Sequence, residues 1–197
     1  MGGVDNERLK LAVLIGSVRE GRMGEKVARW VADRAAVHGK WDIDLVDLAD
    51  HPLPLAVAGA GQPLEEDLQR VKDGLSPRLA GAEAIVVVTP EYNHSYPASL
   101  KNVIDWHPTE WAAKPIGLVS YGGMAGGLRA AEHLRQIFAE LHAVTIREML
   151  SFHNAWGAFD GGEPLPGSEA AAKKFFDQLT WWAVALRAAR SATPYEI

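Results

Sequence analysis

Five times along this chain a short apolar run gives way to loop residues and then to apolar residues at helical spacing, and this alternation limits the fold more than any other feature of its 197 residues. Residues 9–15, 43–48, 84–89 and 116–121 are short, rich in β-branched residues or Leu, and nearly continuous, the character of parallel strands buried on both faces. Residues 144–149 alternate apolar with polar and fit an edge strand covered on one side. Val27, Trp30, Val31 and Ala35 mark the first helix, with Gly39 as its C-terminal cap. Leu64, Leu68, Val71 and Leu75 mark a second, residues 98–106 a third, and Leu128, Ala131, Leu134, Phe138 and Leu141 a fourth. Phe175, Leu179, Trp182 and Leu186 mark the last, with Ser168 as its predicted N-cap.

Parallel strands joined through helices require right-handed crossovers and put helices on both faces of the sheet. The expected architecture is a single α/β domain over residues 1–197, a flavodoxin-like three-layer α/β/α sandwich whose five-stranded parallel sheet has the order 2-1-3-4-5. In that topology a ligand crevice opens beyond the carboxyl ends of the strands, where the strand order reverses, so the loops after strands 1, 3 and 4 carry the candidate site. Two long irregular stretches, 51–63 and 151–167, are the other places where function or an interface is expected.

Charge and cysteine content narrow the chemistry. A formal net charge of −5 argues against nucleic acid or an anionic membrane as a partner, so a bound anion must be met by a local site. The absence of cysteine excludes disulfides, thiolate metal sites and thiol nucleophiles, and leaves redox chemistry to a cofactor. The apolar run 11–15 is too brief for a signal-peptide core or a membrane span, which makes the cytoplasm the expected location. Gly2 invites myristoylation, but Asn6 stands where Ser or Thr is needed. None of the seven His residues forms an i, i+4 pair or a Cys/His cluster, so no metal is expected, and no G-x-S-x-G elbow supports a serine hydrolase.

Residues 16–24, GSVREGRMG, lie between the first strand and the first helix. A helix N-terminus presents unpaired N–H groups and a positive dipole end, so a Gly- and Ser-containing turn there suits a phosphate. Ser17 offers a hydroxyl, and Arg19 and Arg22 offer charge and forked donors; the alternative is an ordinary turn with solvated arginines. Gly16 and Gly21 have P-loop spacing, but Arg22 and Met23 replace the Lys and the magnesium-binding hydroxyl. Val18 replaces the second glycine of a dinucleotide fingerprint, so a single phosphate fits better than a pyrophosphate.

After the third strand come residues 89–106, TPEYNHSYPASLKNVIDW. Pro90 is expected to stop the strand and Pro97 to sit in the first turn of the next helix, leaving backbone N–H groups between them for the edge of a flat heterocycle. Residues 90–106 resemble the signature of the NADPH-dependent FMN reductase family, whose members reduce free flavin, quinones, azo dyes or chromate. The Gly16-Ser17-x-Arg19 turn, the Gly-rich segment Ser120-Tyr121-Gly122-Gly123 and the overall length agree with it.

The resemblance implies that Ser17, Arg19, Met23 and Gly24 surround an FMN phosphate with Arg22 nearby. It implies that Pro90, Glu91, Tyr92, Asn93, His94 and Ser95 border the ring, and that Ser120, Tyr121, Gly122 and Gly123 close its other side. It further implies NADPH or NADH as co-substrate, a small-molecule electron acceptor and a homodimer or homotetramer; a non-catalytic flavodoxin-type electron carrier is the alternative. Two departures stand out: Met23 lies where relatives have a hydroxyl nearby, and residues 56–61 lack the acidic residues expected there. Hydride transfer belongs to the cofactor, so no side chain is assigned a catalytic proton-transfer role. Glu91 reads as a structural or interface carboxylate, Lys101 and Asp105 as a surface pair, and Trp106, Trp111 and Trp156 as aromatics useful at a subunit interface or in a core.

Overall fold

The computed structural model describes residues 8–59, 61–160 and 163–197; Gly2 and Asn6, weighed above for acylation, lie outside them. Strands β1 (Leu9–Ile15), β2 (Trp41–Asp47), β3 (Ala84–Pro90), β4 (Pro115–Tyr121) and β5 (Val144–Phe152) pair in parallel in the order β2-β1-β3-β4-β5. They alternate with helices α1 (Gly24–His38), α2 (Glu66–Gly81), α3 (Ala98–Trp106), α4 (Leu128–Glu140) and α5 (Ser168–Ala192). This is the expected doubly wound, flavodoxin-like order.

Side-chain alternation along the strands divides the core into two layers. Leu11, Val13, Val86 and Val88 point to one face, where α1 and α5 bring Val27, Val31, Phe175 and Leu179. Leu14, Ile85 and Val87 point to the other, where α2, α3 and α4 bring Leu75, Leu79, Val103, Leu134 and Phe138. The two-residue period of a strand thus supplies both layers at once.

Several local expectations shift. β2 begins at Trp41, before the apolar run, because its indole is buried against Phe176 of α5. Pro97 stands just outside α3 in extended conformation rather than in its first turn. Ser168 is the first residue inside α5, and Gly167, in the left-handed region at φ 84°, holds the N-cap position. The capping acceptor is instead the carboxylate of Glu163, which receives the Glu169 N–H at 2.9 Å. Trp106 and Trp111 are buried in the chain's own core, where apolar contact on all sides outcompetes exposure for an interface. Gly39 caps α1 at φ 81° as expected, and Lys101 reaches both oxygens of Asp105 at 2.7 Å.

Helix α3 also organises the irregular stretch after β2. Asn102 donates to Leu53 O at 2.8 Å and Trp106 Nε1–H to Pro54 O at 2.8 Å, while Ser99 donates to Gly16 O at 2.7 Å. These bonds satisfy loop carbonyls that a short apolar helix would otherwise leave to water, and they fix the loops after β1 and β2 against the same surface.

Candidate active site

Strand register brings the loops together. Pro90 lies opposite Tyr121, and Tyr121 opposite Phe152, so β3, β4 and β5 end level. The ladder continues one step further through Glu91 N to Tyr121 O and Gly122 N to Phe152 O, both at 3.1 Å. Beyond these ends opens a cavity of about 290 Å³ lined by residues 19–23, 90–92 and 121–123 together with Ala155 and Trp156.

The β1 loop leaves the sheet with Gly16 N–H still donating to Val88 O at 2.9 Å. Ser17 then turns fully inward, where its hydroxyl pairs with that of Tyr92 at 2.7 Å and accepts from Arg19 N at 3.4 Å. It braces the β1 loop to the β3 loop and does not line the cavity. Met23 occupies the N-cap of α1 without a side-chain cap, so no residue's side chain occupies the positive end of that helix from the cap position.

Gly24 shows why the helix starts where it does. A Cβ there would lie 2.9 Å from the Tyr121 hydroxyl and 3.1 Å from Ile15 Cγ2, closer than a side chain tolerates. The absence of a side chain lets the first turn of α1 press against the end of β4. The Tyr121 hydroxyl is buried and meets no hydrogen-bond partner at bonding geometry, while the Ser17 hydroxyl pairs with Tyr92. Burial raises its pKa and holds the phenol protonated.

The two arginines separate. Arg22 is largely buried and paired with Asp47 at the end of β2 and with Glu25 at 3.0 Å. It lines the cavity, as a phosphate neighbour would, but its charge is already answered by two carboxylates. Arg19 is exposed at the cavity edge and, among the described residues, has no carboxylate partner.

Within the β3 loop, Tyr92 and Ser95 exchange backbone hydrogen bonds at 2.8 and 3.0 Å, and Asn93 and His94 between them have φ of 49° and 71°. Positive φ at both central residues makes this a two-residue turn of the I′ kind. The turn carries Asn93, His94 and Ser95 off the cavity, so of the six residues expected there only Pro90, Glu91 and Tyr92 line it. His94 borders a separate cleft of about 230 Å³ with Glu91, Arg129 and residues 123–127. Ser95 Oγ pairs with His133 Nδ1 at 3.0 Å.

In the β4 loop, Ser120 is buried and donates to Gly126 O at 2.8 Å, and Ser151 donates to the same carbonyl at 2.9 Å. Ser120 therefore shapes the Gly-rich turn, while Tyr121, Gly122 and Gly123 line the cavity. Four lining residues were not foreseen: Glu20 and Gly21 within the β1 loop, and Ala155 and Trp156 after β5. The last two return because Asn154 N donates to Gly123 O at 3.0 Å and Ala155 N to Gly122 O at 3.1 Å. The length of the irregular stretch 151–167 flagged the segment, but no motif marks which of its residues comes back.

A cavity that gathers an uncapped helix N-terminus, an arginine with no carboxylate partner among the described residues, and proline, tyrosine and glycine walls fits a phosphate joined to a flat ring. Among the described residues no group of His, Asp and Glu is arranged to hold a metal ion.

The family model for NADPH-dependent FMN reductase matches residues 9–157. An NAD(P)H-dependent FMN reductase of Schizosaccharomyces pombe is 39% identical over 121 residues, an alignment that spans 60% of each chain. A quinone reductase of Escherichia coli strain K12 is 35% identical over 148 residues, 73% of this chain and 76% of its own. Among solved structures, the Paracoccus denitrificans flavoenzyme FerB, described as an NAD(P)H:(acceptor) oxidoreductase, superposes with a TM-score of 0.69 over 90% of this chain and 98% of its own, at 24% identity, and shows the same fold. With the family match running through all five strands and every loop of the cavity, the chain belongs to the NADPH-dependent FMN reductase family.

Proposed function

We propose that this chain holds FMN in the cavity at the carboxyl ends of β1, β3 and β4 and uses it to carry reducing equivalents from NADPH or NADH to a small-molecule acceptor, with quinones the foremost class. The observation that carries this reading is the convergence of the uncapped N-terminus of α1 with Pro90–Tyr92 and Gly122–Gly123 around one cavity. FMN, when bound, supplies the hydride acceptor and donor.

The chain's own residues position and shield it. Arg19 and the N–H groups at the start of α1 meet the phosphate charge, in an otherwise acidic protein that offers it no general attraction. Met23 and Gly24 contribute backbone there; Ser17 acts one layer behind through Tyr92, and Arg22, in the cavity wall, holds the loop through Asp47. Pro90, Glu91, Tyr92, Tyr121, Gly122 and Gly123 wall the ring, with Ser120 fixing the last turn and Asn93, His94 and Ser95 forming an outer rim. The proton that accompanies reduction of an acceptor comes from solvent.

The quinone assignment draws on the Escherichia coli relative; azo compounds, chromate and free flavin are the other acceptors to compare. Exposed Val18 and Leu55, lining a cavity of about 390 Å³ between the β1 and β2 loops and α3, support self-association as a homodimer or homotetramer. The 197 residues act as one domain. A cytoplasmic setting is part of this proposal; among the described residues no helix is long and apolar enough to cross a membrane. The test is steady-state NADPH and NADH oxidation by purified holoprotein with each acceptor, alongside light scattering for subunit number. Turnover with a quinone is the expected result; absence of turnover with every acceptor would return the chain to a carrier role.

A further inference from the structure

We propose that Trp156 is the platform on which an aromatic acceptor stacks, an assignment that rests on the FMN-dependent reading above. Trp156 is 71% exposed, although its neighbour Ala155 is buried and the flanking aromatics are packed. The segment that carries it is pinned at both ends. On one side Asn154 and Ala155 bond to Gly123 and Gly122. On the other, Phe159 packs edge-on against Phe152 at 4.8 Å and Trp30 at 6.2 Å, and Asp160 pairs with Lys26 at 2.5 Å. Between these anchors the chain turns at Gly157, φ 80°. One large apolar side chain is thereby held out at a fixed place.

That place is the mouth of the flavin cavity. The indole lies over Gly123, where a Cβ would come within 3.2 Å of Trp156 Cη2, so the glycine is what lets the ring settle against the β4 wall. A volume of about 290 Å³ is small for a ligand site, which commonly offers roughly 300–1,000 Å³, so one flat cofactor occupies it and the second reactant rests at its rim. Trp156, which follows β5 and lines the cavity while 71% exposed, forms that rim. An electron-rich indole face favours offset stacking with flat, electron-poor rings and makes no demand for a particular hydrogen-bonding group. A quinone seated there takes a hydride equivalent from the reduced cofactor and a proton from solvent, a two-electron reduction to the hydroquinone. Acceptors with two fused rings gain more from the platform than those with one.

The test compares wild type, Trp156→Ala and Trp156→Phe holoproteins. The oxidised forms are titrated with 1,4-naphthoquinone while the flavin absorption band is followed. The forms reduced with dithionite are then mixed with naphthoquinone or with ferricyanide, a non-aromatic acceptor of which two equivalents are consumed. Trp156→Ala is expected to raise the naphthoquinone dissociation constant about 3- to 10-fold, the value of one aromatic stack, and to lower the ratio of naphthoquinone to ferricyanide reoxidation rates. Trp156→Phe restores most of both. Unchanged naphthoquinone binding and an unchanged ratio overturn the assignment, as does a loss confined to FMN affinity, which would make Trp156 a flavin contact. Failure of NADPH and NADH to reduce the wild-type flavin would count against the reductase reading alone, since chemical reduction still tests Trp156; failure of the chain to take up FMN removes both.

Discussion

The carboxylate of Glu91, just past the end of β3, accepts hydrogen bonds from the guanidinium of Arg129 at 2.5 Å and from its backbone N–H at 3.2 Å, in the first turn of α4. Gly127, at the N-cap of that helix, has no side chain to cap it, so Glu91 does so from the neighbouring loop and ties two walls of the cavity together. Glu91→Ala is expected to cost about 1–3 kcal/mol of stability and to weaken FMN binding with it. Glu91→Gln, which keeps an acceptor for the N–H, costs less. Urea unfolding and FMN titration of the apoprotein measure the two effects.

Arg19 and Arg22 are three residues apart but differ in what already holds them. Arg19→Ala is expected to raise the FMN dissociation constant about 10- to 100-fold, the loss of one charge-assisted contact, with little change in the unfolding midpoint. Arg22→Ala strands Asp47 and removes the Glu25 pair, so its main effect falls on stability. Quenching of flavin fluorescence, read beside urea unfolding, separates them; equal effects on affinity would show that Arg22 leaves Asp47 for the phosphate.

Tyr121 buries a hydroxyl that donates to nothing. Tyr121→Phe is expected to leave stability unchanged or to raise it by about 1 kcal/mol, since an unsatisfied buried polar group is removed. Gly24→Ala, which crowds that hydroxyl, is expected to destabilise by about 1–3 kcal/mol. The double variant should lose less than Gly24→Ala alone, because the clash is with the missing atom. A double-mutant cycle in urea detects this non-additivity.

Stability should change with pH at both ends of the range. Burial lowers the pKa of His107, whose folded form resists protonation, so stability present above pH 6.5 is lost as the pH falls below it. Burial also lowers Lys114, which donates to Leu79 O and Ala80 O at 2.6 Å, to about 8. Its unfolded form binds more protons between about pH 8 and 10.5, so stability rises across that window by up to about 3 kcal/mol. Tyr121, shifted upward, opposes the rise above pH 10, where the unfolded phenol ionises first. Lys114→Met should flatten the rise, as measured by urea midpoints from pH 7 to 10.

The sequence alone determined the sheet order, the alternation of helices and strands, and the three loops that meet at the cavity. These are carried by local periodicity, by Gly39 and by a motif whose residues are contiguous; Pro90, expected to stop the third strand, is instead its last residue, with one ladder bond beyond it. Tertiary structure decided which side chains face inward. Arg22 and Arg19 look alike in a row of letters, but β2 brings Asp47 to Arg22 and no described carboxylate to Arg19. Ser17 reads as a ligand hydroxyl and Ser120 as part of the wall beside the ring, but burial gives each an internal partner. Asn93 and His94 sit in the most recognisable segment, yet a reciprocal pair of backbone bonds between Tyr92 and Ser95 turns them away. Trp156, more than thirty residues beyond the last motif, returns to the cavity through two backbone bonds to Gly122 and Gly123. A side chain's direction depends on partners distant in the chain, and no local pattern encodes those.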